Sequence, residues 1–138
     1  LNKWDLLNEE DKLNINSNLK IQLKKFSWLN VIRISALTTK GLNKFSKTLN
    51  EVNSQLNNRI DTSDLNLYFR ELWVAKPPHP FRGKRAKLKY VTQYDISPPS
   101  FSFNLSSRIP KNYYSFIENK LREEFGFKNV SLRIKYKT

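Results

Sequence analysis

The sequence predicts a mixed fold in two parts, an α/β segment followed by an α+β domain. In the first half, a short β-branched apolar run lies between two segments with helical spacing. In the second half, apolar and polar residues alternate in three short segments, and helical segments precede the first and the third. Of the 138 residues, 38% are hydrophobic, so the chain has enough apolar surface to fold.

The first half, residues 1–60, has the predicted order helix, strand, helix. Leu19, Leu23 and Phe26 recur at helical spacing, and the run 28–34 is typical of a buried strand of a parallel sheet. A second, amphipathic helix begins near Gly41. Its apolar residues are Leu42, Phe45, Leu49, Val52, Leu56 and Ile60. One strand does not make a sheet, and the chain begins at Leu1 without methionine, so we expect partner strands upstream.

The second half, residues 61–138, has the predicted order α-β-β-α-β. Its first helix begins at the capping cluster 61–64 and ends at Pro77-Pro78, and its second lies between Pro110 and Gly126. The alternating segments predict half-buried strands. Their inward-facing residues are predicted to be Leu88 and Tyr90, then Phe101, Phe103 and Leu105, then Leu132, Ile134 and Tyr136. We expect a three-stranded sheet with two helices on its apolar face.

Composition excludes several kinds of site. Cysteine is absent, which excludes disulfides, thiolate metal sites and a cysteine nucleophile. The only histidine, His79, lies between prolines and is predicted to be a turn residue in an extended connector. No apolar stretch approaches the roughly 20 residues of a membrane span. We therefore predict no catalytic residue, no metal site and no membrane partner for this chain, and a cytoplasmic location.

The formal net charge of +13 predicts attraction to polyanions, most often nucleic acid. Residues 1–62 carry ten basic and six acidic side chains, and residues 63–138 carry fifteen and six. Five cations on the first and last predicted strands would share one open sheet face and contact RNA phosphates: Lys87, Lys89, Arg133, Lys135 and Lys137. Arg82, Lys84 and Arg85, in the basic segment before the first strand, are further candidate RNA contacts. The alternatives are a solvated strand face or a face packed against an acidic neighbouring domain.

Asn2-Lys3-Trp4-Asp5 is the Asn-Lys-x-Asp pattern with which P-loop GTPases bind guanine. The Asp carboxylate accepts hydrogen bonds from N1–H and the exocyclic amine, and adenine lacks that pair of donors. The lysine stem packs along the base, and the asparagine braces the loop. Ser35-Ala36-Leu37 follows the predicted strand, where GTPases carry a turn whose alanine N–H donates to the guanine carbonyl oxygen.

The phosphate-binding loop of a GTPase is missing from this sequence. Its glycines are Gly41, Gly83 and Gly126, and none belongs to a Gly-x-x-x-x-Gly-Lys-Ser/Thr motif. Without that loop nothing cradles the phosphates or holds magnesium. We expect that this chain alone does not hydrolyse GTP.

The chain resembles the C-terminal part of the double-Era-like GTPases, the Der or EngA family. The resemblance rests on the guanine motif, on 33–37, on Pro77-Pro78-His79-Pro80, on the basic segment 82–90 and on the ending 109–137. It implies that residues 1–60 end the second of two consecutive P-loop GTPase domains and that residues 61–138 form a KH-like domain. By position, Asn2, Lys3 and Asp5 would recognise guanine, and Ser35 and Ala36 would complete the base pocket.

The resemblance also implies a function for the parent protein. It would be a GTP-binding protein, a GTPase acting late in assembly of the large ribosomal subunit. GTP or GDP would be its ligand, with Mg²⁺ held only by the upstream part. Its partners would be the large subunit with its ribosomal RNA and the upstream GTPase domains.

One departure from RNA-binding KH domains is that no Gly-x-x-Gly loop is present. The second half would therefore act as a docking plate that contacts RNA through charge. Two alternatives stay open. One is a non-enzymatic basic RNA-binding module with an accidental guanine motif, and the other is a single-GTPase relative with a KH tail.

Overall fold

The computed structural model describes residues 1–26 and 28–138. Within them the chain divides into two compact units, Leu1–Ser54 and Gln55–Thr138. The described elements are four helices and three strands, which confirms the mixed fold class. They are α1 (Glu9–Gln22), α2 (Leu42–Leu56), α3 (Thr62–Ala75), β1 (Leu88–Ile96), β2 (Pro99–Leu105), α4 (Lys111–Phe125) and β3 (Arg133–Lys137). The assignment of residues 1–60 and 61–138 to two domains stays a prediction.

Helix α1 begins well before the predicted helical segment. Asn8 caps it, because its Oδ1 accepts a hydrogen bond from the backbone N–H of Asp11 at 2.8 Å. Glu9, Glu10 and Asp11 then lie in the first turn, where negative charge complements the helix dipole. The polar stretch that precedes Leu19 is therefore helical, and its N-terminal signal is the asparagine followed by three acids.

The run 28–34 was predicted to be a buried strand, and this detail is wrong for the described residues. Trp28 lies in a turn, residues 29–34 are not part of a strand, and the side chains of the run are half-buried or exposed. Its backbone pairs in parallel with the first residues of the chain. Leu1 N donates to Ile32 O at 2.8 Å, Ile34 N to Leu1 O at 2.8 Å, and Trp4 N to Ile34 O at 3.1 Å. A segment of this kind becomes a buried strand when further strands pair with it and helices cover both faces of the sheet.

Helix α2 begins where the sequence predicts, directly after Gly41. Gly41 has a φ of 82°, and a Cβ at this position would collide with the carbonyl oxygen of Arg33. The helix ends at Leu56 and does not reach Ile60, which is buried in the second unit. The apolar residues of α2 are not buried; Phe45 and Leu49 are exposed.

The second unit contains a three-stranded sheet in the order β1-β2-β3, with β1 and β2 antiparallel and β2 and β3 parallel. Its predicted order α-β-β-α-β is confirmed. Helix α4 follows Pro110 and ends at Gly126, whose φ of 78° gives a left-handed C-cap. Asp61 precedes α3, but its side chain makes no capping hydrogen bond.

The core lies between the sheet and the helices α3 and α4. Phe69 meets Phe103 edge-to-face with a centroid distance of 4.8 Å, and Phe101 meets Phe127 at 5.6 Å. These four rings are fully buried, and burying each contributes roughly 1.5–3 kcal/mol. The predicted inward positions on β2 are therefore confirmed. Tyr136 stacks on Phe103, and burial raises the pKa of its hydroxyl.

Candidate functional site

The Asn-Lys-x-Asp segment forms a tight turn in the first unit. Lys3 has a left-handed backbone with a φ of 63°, which is uncommon for a residue with a Cβ. A short 3₁₀ turn, Trp4–Leu6, follows and carries Asp5. The side chain of Asn2 closes the turn, since its Oδ1 accepts a hydrogen bond from the N–H of Lys3 at 2.8 Å.

The Ser35-Ala36-Leu37 segment lies directly beside this turn. Asn2 Oδ1 also accepts a hydrogen bond from the backbone N–H of Ala36 at 3.1 Å, over a separation of 34 residues. Ser35 is 1% exposed, and its Oγ accepts from the N–H of Thr38 at 3.1 Å, which shapes the loop from within. The structure therefore brings the two predicted motifs together. Donation by Ala36 to a guanine carbonyl stays a prediction.

A pocket of about 230 Å³ lies between the two motifs. Asn2, Lys3, Asp5 and Ala36 contribute to its lining, together with two leucines, Leu6 and Leu37. An aspartate, a lysine and an alanine thus share one concave surface, as the predicted guanine pocket requires. That the pocket binds guanine stays a prediction. Ser35 is not part of the lining. Its buried hydroxyl holds the loop that carries Ala36 by accepting the hydrogen bond from Thr38.

Arg33 is a supporting residue that the sequence patterns did not single out. Its Nε donates to Asn16 Oδ1 on α1 at 3.0 Å, and a second guanidinium nitrogen donates to the same oxygen. The guanidinium also lies 5.2 Å from the ring centroid of Trp4, the variable residue of the guanine motif. Arg33 thus connects α1, the run 28–34 and the motif turn.

The open face of the sheet in the second unit carries the predicted cations of β3. Arg133, Lys135 and Lys137 are exposed and lie opposite Ser100, Ser102 and Asn104 on β2. Two rows cross the face from β1 to β3. One is Thr92, Ser102 and Lys135, and the other is Tyr90, Asn104 and Lys137.

The predicted inward position of Tyr90 is wrong. Strand β1 has an extra residue between Leu88 and Tyr90, so that both Lys89 and Tyr90 are exposed. Val91 and Gln93 face the core in its place, and a second irregularity next to Gln93 leaves Tyr94 exposed as well. The open face therefore carries two tyrosines that the alternating pattern did not predict.

The cations between Arg82 and Lys87 lie outside the strands. Phe81 and Lys84 pair through backbone hydrogen bonds of 2.9 and 3.1 Å, and positive φ angles at Arg82 and Gly83 form the two-residue turn between them. Arg85 and Lys87 follow the turn and are exposed. Arg82 and Lys84 line a pocket of about 410 Å³ together with Arg108, a cation that the sequence patterns did not single out. Of the five cations predicted to share one sheet face, Lys87 thus precedes β1 and lies outside the strands. That these cations contact RNA stays a prediction.

Two groups of neighbouring acidic residues, Glu9-Glu10-Asp11 and Glu123-Glu124, form ion pairs on the surface. Glu9 pairs with Lys12 at 2.6 Å, and Glu123 pairs with Lys120 at 2.5 Å. Glu124, like both of them, is exposed. None of the helices in residues 1–26 and 28–138 is long and apolar enough to cross a membrane.

Comparison with known proteins gives one family match and a series of similar sequences. The chain is 34% identical over 140 residues to the GTPase Der of Chlorobium limicola, an alignment that covers 99% of this chain and 32% of the relative. The corresponding protein of Mycolicibacterium vanbaalenii is 32% identical, with 96% of this chain and 28% of the relative covered. The chain thus spans about a third of the length of these curated relatives.

Residues 59–137 match the sequence model of the family described as the KH-domain-like, C-terminal domain of EngA bacterial GTPase enzymes. The match includes every strand and both helices of the sheet-containing unit. It also covers more than half of the chain, so this chain belongs to the family of KH-like C-terminal domains of the EngA GTPases.

Proposed function

We propose that this chain is the C-terminal part of a GTPase that acts late in assembly of the large ribosomal subunit. In this assignment, residues 1–60 end the second P-loop GTPase domain and supply guanine recognition. Residues 61–138 form the KH-like domain, which docks on ribosomal RNA and contacts the upstream GTPase domains. Support comes from the family match and from relatives named GTPase Der.

The observation that carries the guanine assignment is the bond between Asn2 Oδ1 and the Ala36 N–H at 3.1 Å. It joins two motifs that are far apart in sequence and that in P-loop GTPases both belong to the guanine site. In the proposal Asp5 accepts from N1–H and the exocyclic amine, the stem of Lys3 packs along the base, and Asn2 braces both loops. Ser35 holds the second loop in shape so that Ala36 approaches the base.

GTP hydrolysis belongs to the upstream part of the parent protein in this proposal. The 138 residues contain no phosphate-binding loop, so GTP or GDP would be held here by its base alone. Mg²⁺ would be bound with the phosphates upstream. The relatives are bacterial, and we expect the parent protein in the cytoplasm.

Asp5→Asn in the full-length protein tests the guanine pocket. The substitution removes the acceptor for two guanine donors, so affinity for GTP should fall by about tenfold or more. Affinity for xanthosine triphosphate should rise, because xanthine carries a carbonyl where guanine carries the amine and the new amide donates to it. Competition against a fluorescent guanine nucleotide measures both values.

Asp11→Asn is the matched control, because Asp11 is an exposed aspartate of the same unit that does not line the pocket. It should leave the preference for guanine unchanged. Equal GTP affinity in Asp5→Asn and the unsubstituted protein would contradict the pocket assignment. The non-enzymatic RNA-binding module would then be the better explanation of the sequence.

A further inference from the structure

The centre of the open sheet face contains a buried polar group that has no hydrogen-bond partner in the part of the chain that the structure describes. Ser102 is 5% exposed, and its Oγ is buried without a hydrogen-bond partner among the described residues. It lies on the central strand, between Thr92 on β1 and Lys135 on β3. A buried hydroxyl without a partner is costly, and a ligand on this face would supply one.

A pocket of about 300 Å³ lies on this face, and Ser102 is one of its lining residues. Tyr90 and Tyr94 line it on the β1 side, and Lys135 and Lys137 line it on the β3 side. The ammonium of Lys135 lies 4.8 Å from the ring centroid of Tyr94, so that ring already has a cation against it. Tyr90 is 48% exposed. Among the described residues, no aromatic ring or cation packs against the face of its ring.

The chemistry of this lining favours nucleic acid over protein as the occupant. None of the described lining residues is acidic, and the net charge of residues 63–138 is +9. An exposed aromatic ring stacks on any base, cations beside it pair with the phosphates that follow, and a hydroxyl and an amide reach the base edge. Asn104 supplies the amide, since it lines the same pocket.

We propose that this face binds an unpaired RNA nucleotide, with its base stacked on Tyr90. The Ser102 hydroxyl and the Asn104 amide contact the base edge, and Lys135 and Lys137 pair with flanking phosphates. The inference rests on the proposed RNA-docking function and deepens it. Cations bind the phosphates of paired and unpaired RNA alike, whereas stacking on Tyr90 requires an unpaired base. It also gives the unit a way to recognise single strands without a Gly-x-x-Gly loop.

The test measures the affinity of the 138-residue chain for a labelled single-stranded RNA and for a labelled RNA duplex. Fluorescence anisotropy reports binding at several salt concentrations. Tyr90→Ala should weaken single-strand binding about tenfold and leave its salt dependence unchanged. Tyr90→Phe keeps the ring and should restore affinity. Ser102→Ala should weaken binding about fivefold without lowering stability, since its hydroxyl makes no hydrogen bond within residues 1–26 and 28–138.

Lys135→Gln with Lys137→Gln separates this inference from the proposed function, because it should lower both the affinity and the salt dependence. If that variant weakens binding while Tyr90→Ala and Ser102→Ala bind as the unsubstituted chain does, the stacking site is overturned and RNA docking stands. Equal affinity for single strand and duplex also overturns the site. If the unsubstituted chain binds neither RNA, both the stacking site and the proposed RNA docking fail, which leaves a solvated face or a face packed against a neighbouring domain.

Discussion

At the scale of single residues, Arg122 connects more parts of the second unit than any motif residue does. It lies on α4 with 7% of its surface exposed. Its Nη1 donates at 2.8 Å to the carbonyls of both Phe127 and Val130, and its Nη2 and Nε donate to Glu118 Oε1. The forked guanidinium therefore holds the loop between α4 and β3, and this loop sets the start of β3.

Arg122→Met should lower the free energy of unfolding by about 3 kcal/mol. The substitution leaves two buried carbonyls without a donor and Glu118 without its cation. Urea denaturation of the 138-residue chain measures the loss. Lys120→Met is the control on the same helix, because Lys120 forms an ion pair with the exposed Glu123 at 2.5 Å. Its effect should be much smaller, and equal losses for the two variants would show that Arg122 contributes no more than a surface pair.

The sequence predicts residue roles only where a role depends on residue type and spacing. Asn2 and Ala36 were predicted as neighbours because two known motifs contain them, and the structure brings them into contact. Tyr90 was predicted to face inward, since a strict alternation was assumed and an extra residue in one strand leaves no mark on composition. Arg122 gave no signal, because the carbonyls that it binds become neighbours only after folding.

At the scale of elements, β1 is an edge strand whose outer side is covered by a side chain. Asn66 on α3 pairs with the backbone of Val91 in both directions. Its Oδ1 accepts from the Val91 N–H at 2.9 Å, and its Nδ2 donates to the Val91 carbonyl at 2.8 Å. The amide thus replaces one residue of a neighbouring strand, which protects the edge from pairing with another chain.

Asn66→Leu should cost about 1–3 kcal/mol of unfolding free energy, because the Val91 N–H and carbonyl lose their partner. Hydrogen exchange of the Val91 amide should also become faster than in the unsubstituted chain. Asn119→Leu on α4 is the matched control, since Asn119 is exposed and the same change in helix propensity applies there. Unchanged exchange at Val91 would contradict the assigned role of Asn66.

The sequence predicts one end of each of two helices correctly but predicts a strand that the structure does not contain among the described residues. Helices α2 and α4 have apolar periodicity and a glycine at one end, and both begin or end where the sequence places them. The run 28–34 has the composition of a buried strand, yet Ile32 and Ile34 form backbone hydrogen bonds with the first residues of the chain and not with a neighbouring strand of a sheet. Local composition shows that a segment is suited to be a buried strand. The segment forms a strand only when neighbouring strands pair with it.

At the scale of the whole molecule, the excess positive charge is unevenly distributed along the chain. Of the formal charge of +13, +4 belongs to residues 1–62 and +9 to residues 63–138. The proposed docking role requires a local effect of the sheet-face cations, whereas a merely basic protein would bind RNA through its total charge. If docking is local, removing cations from the sheet face should weaken RNA binding more than removing the same number of cations elsewhere. If total charge decides, the two removals should have equal effects.

Replacing Lys87, Lys89, Arg133 and Lys135 by glutamine should weaken binding to large-subunit ribosomal RNA and lower the salt dependence of that binding. Each lost phosphate contact reduces the slope of log affinity against log salt by about 0.7–0.9, so four lost contacts reduce it by about 3. The control replaces Lys20, Lys40, Lys44 and Lys47, four exposed cations of the first unit, by glutamine. It removes the same charge and should change the slope far less. Equal slopes for the two variants would assign RNA binding to total charge and contradict a docking face.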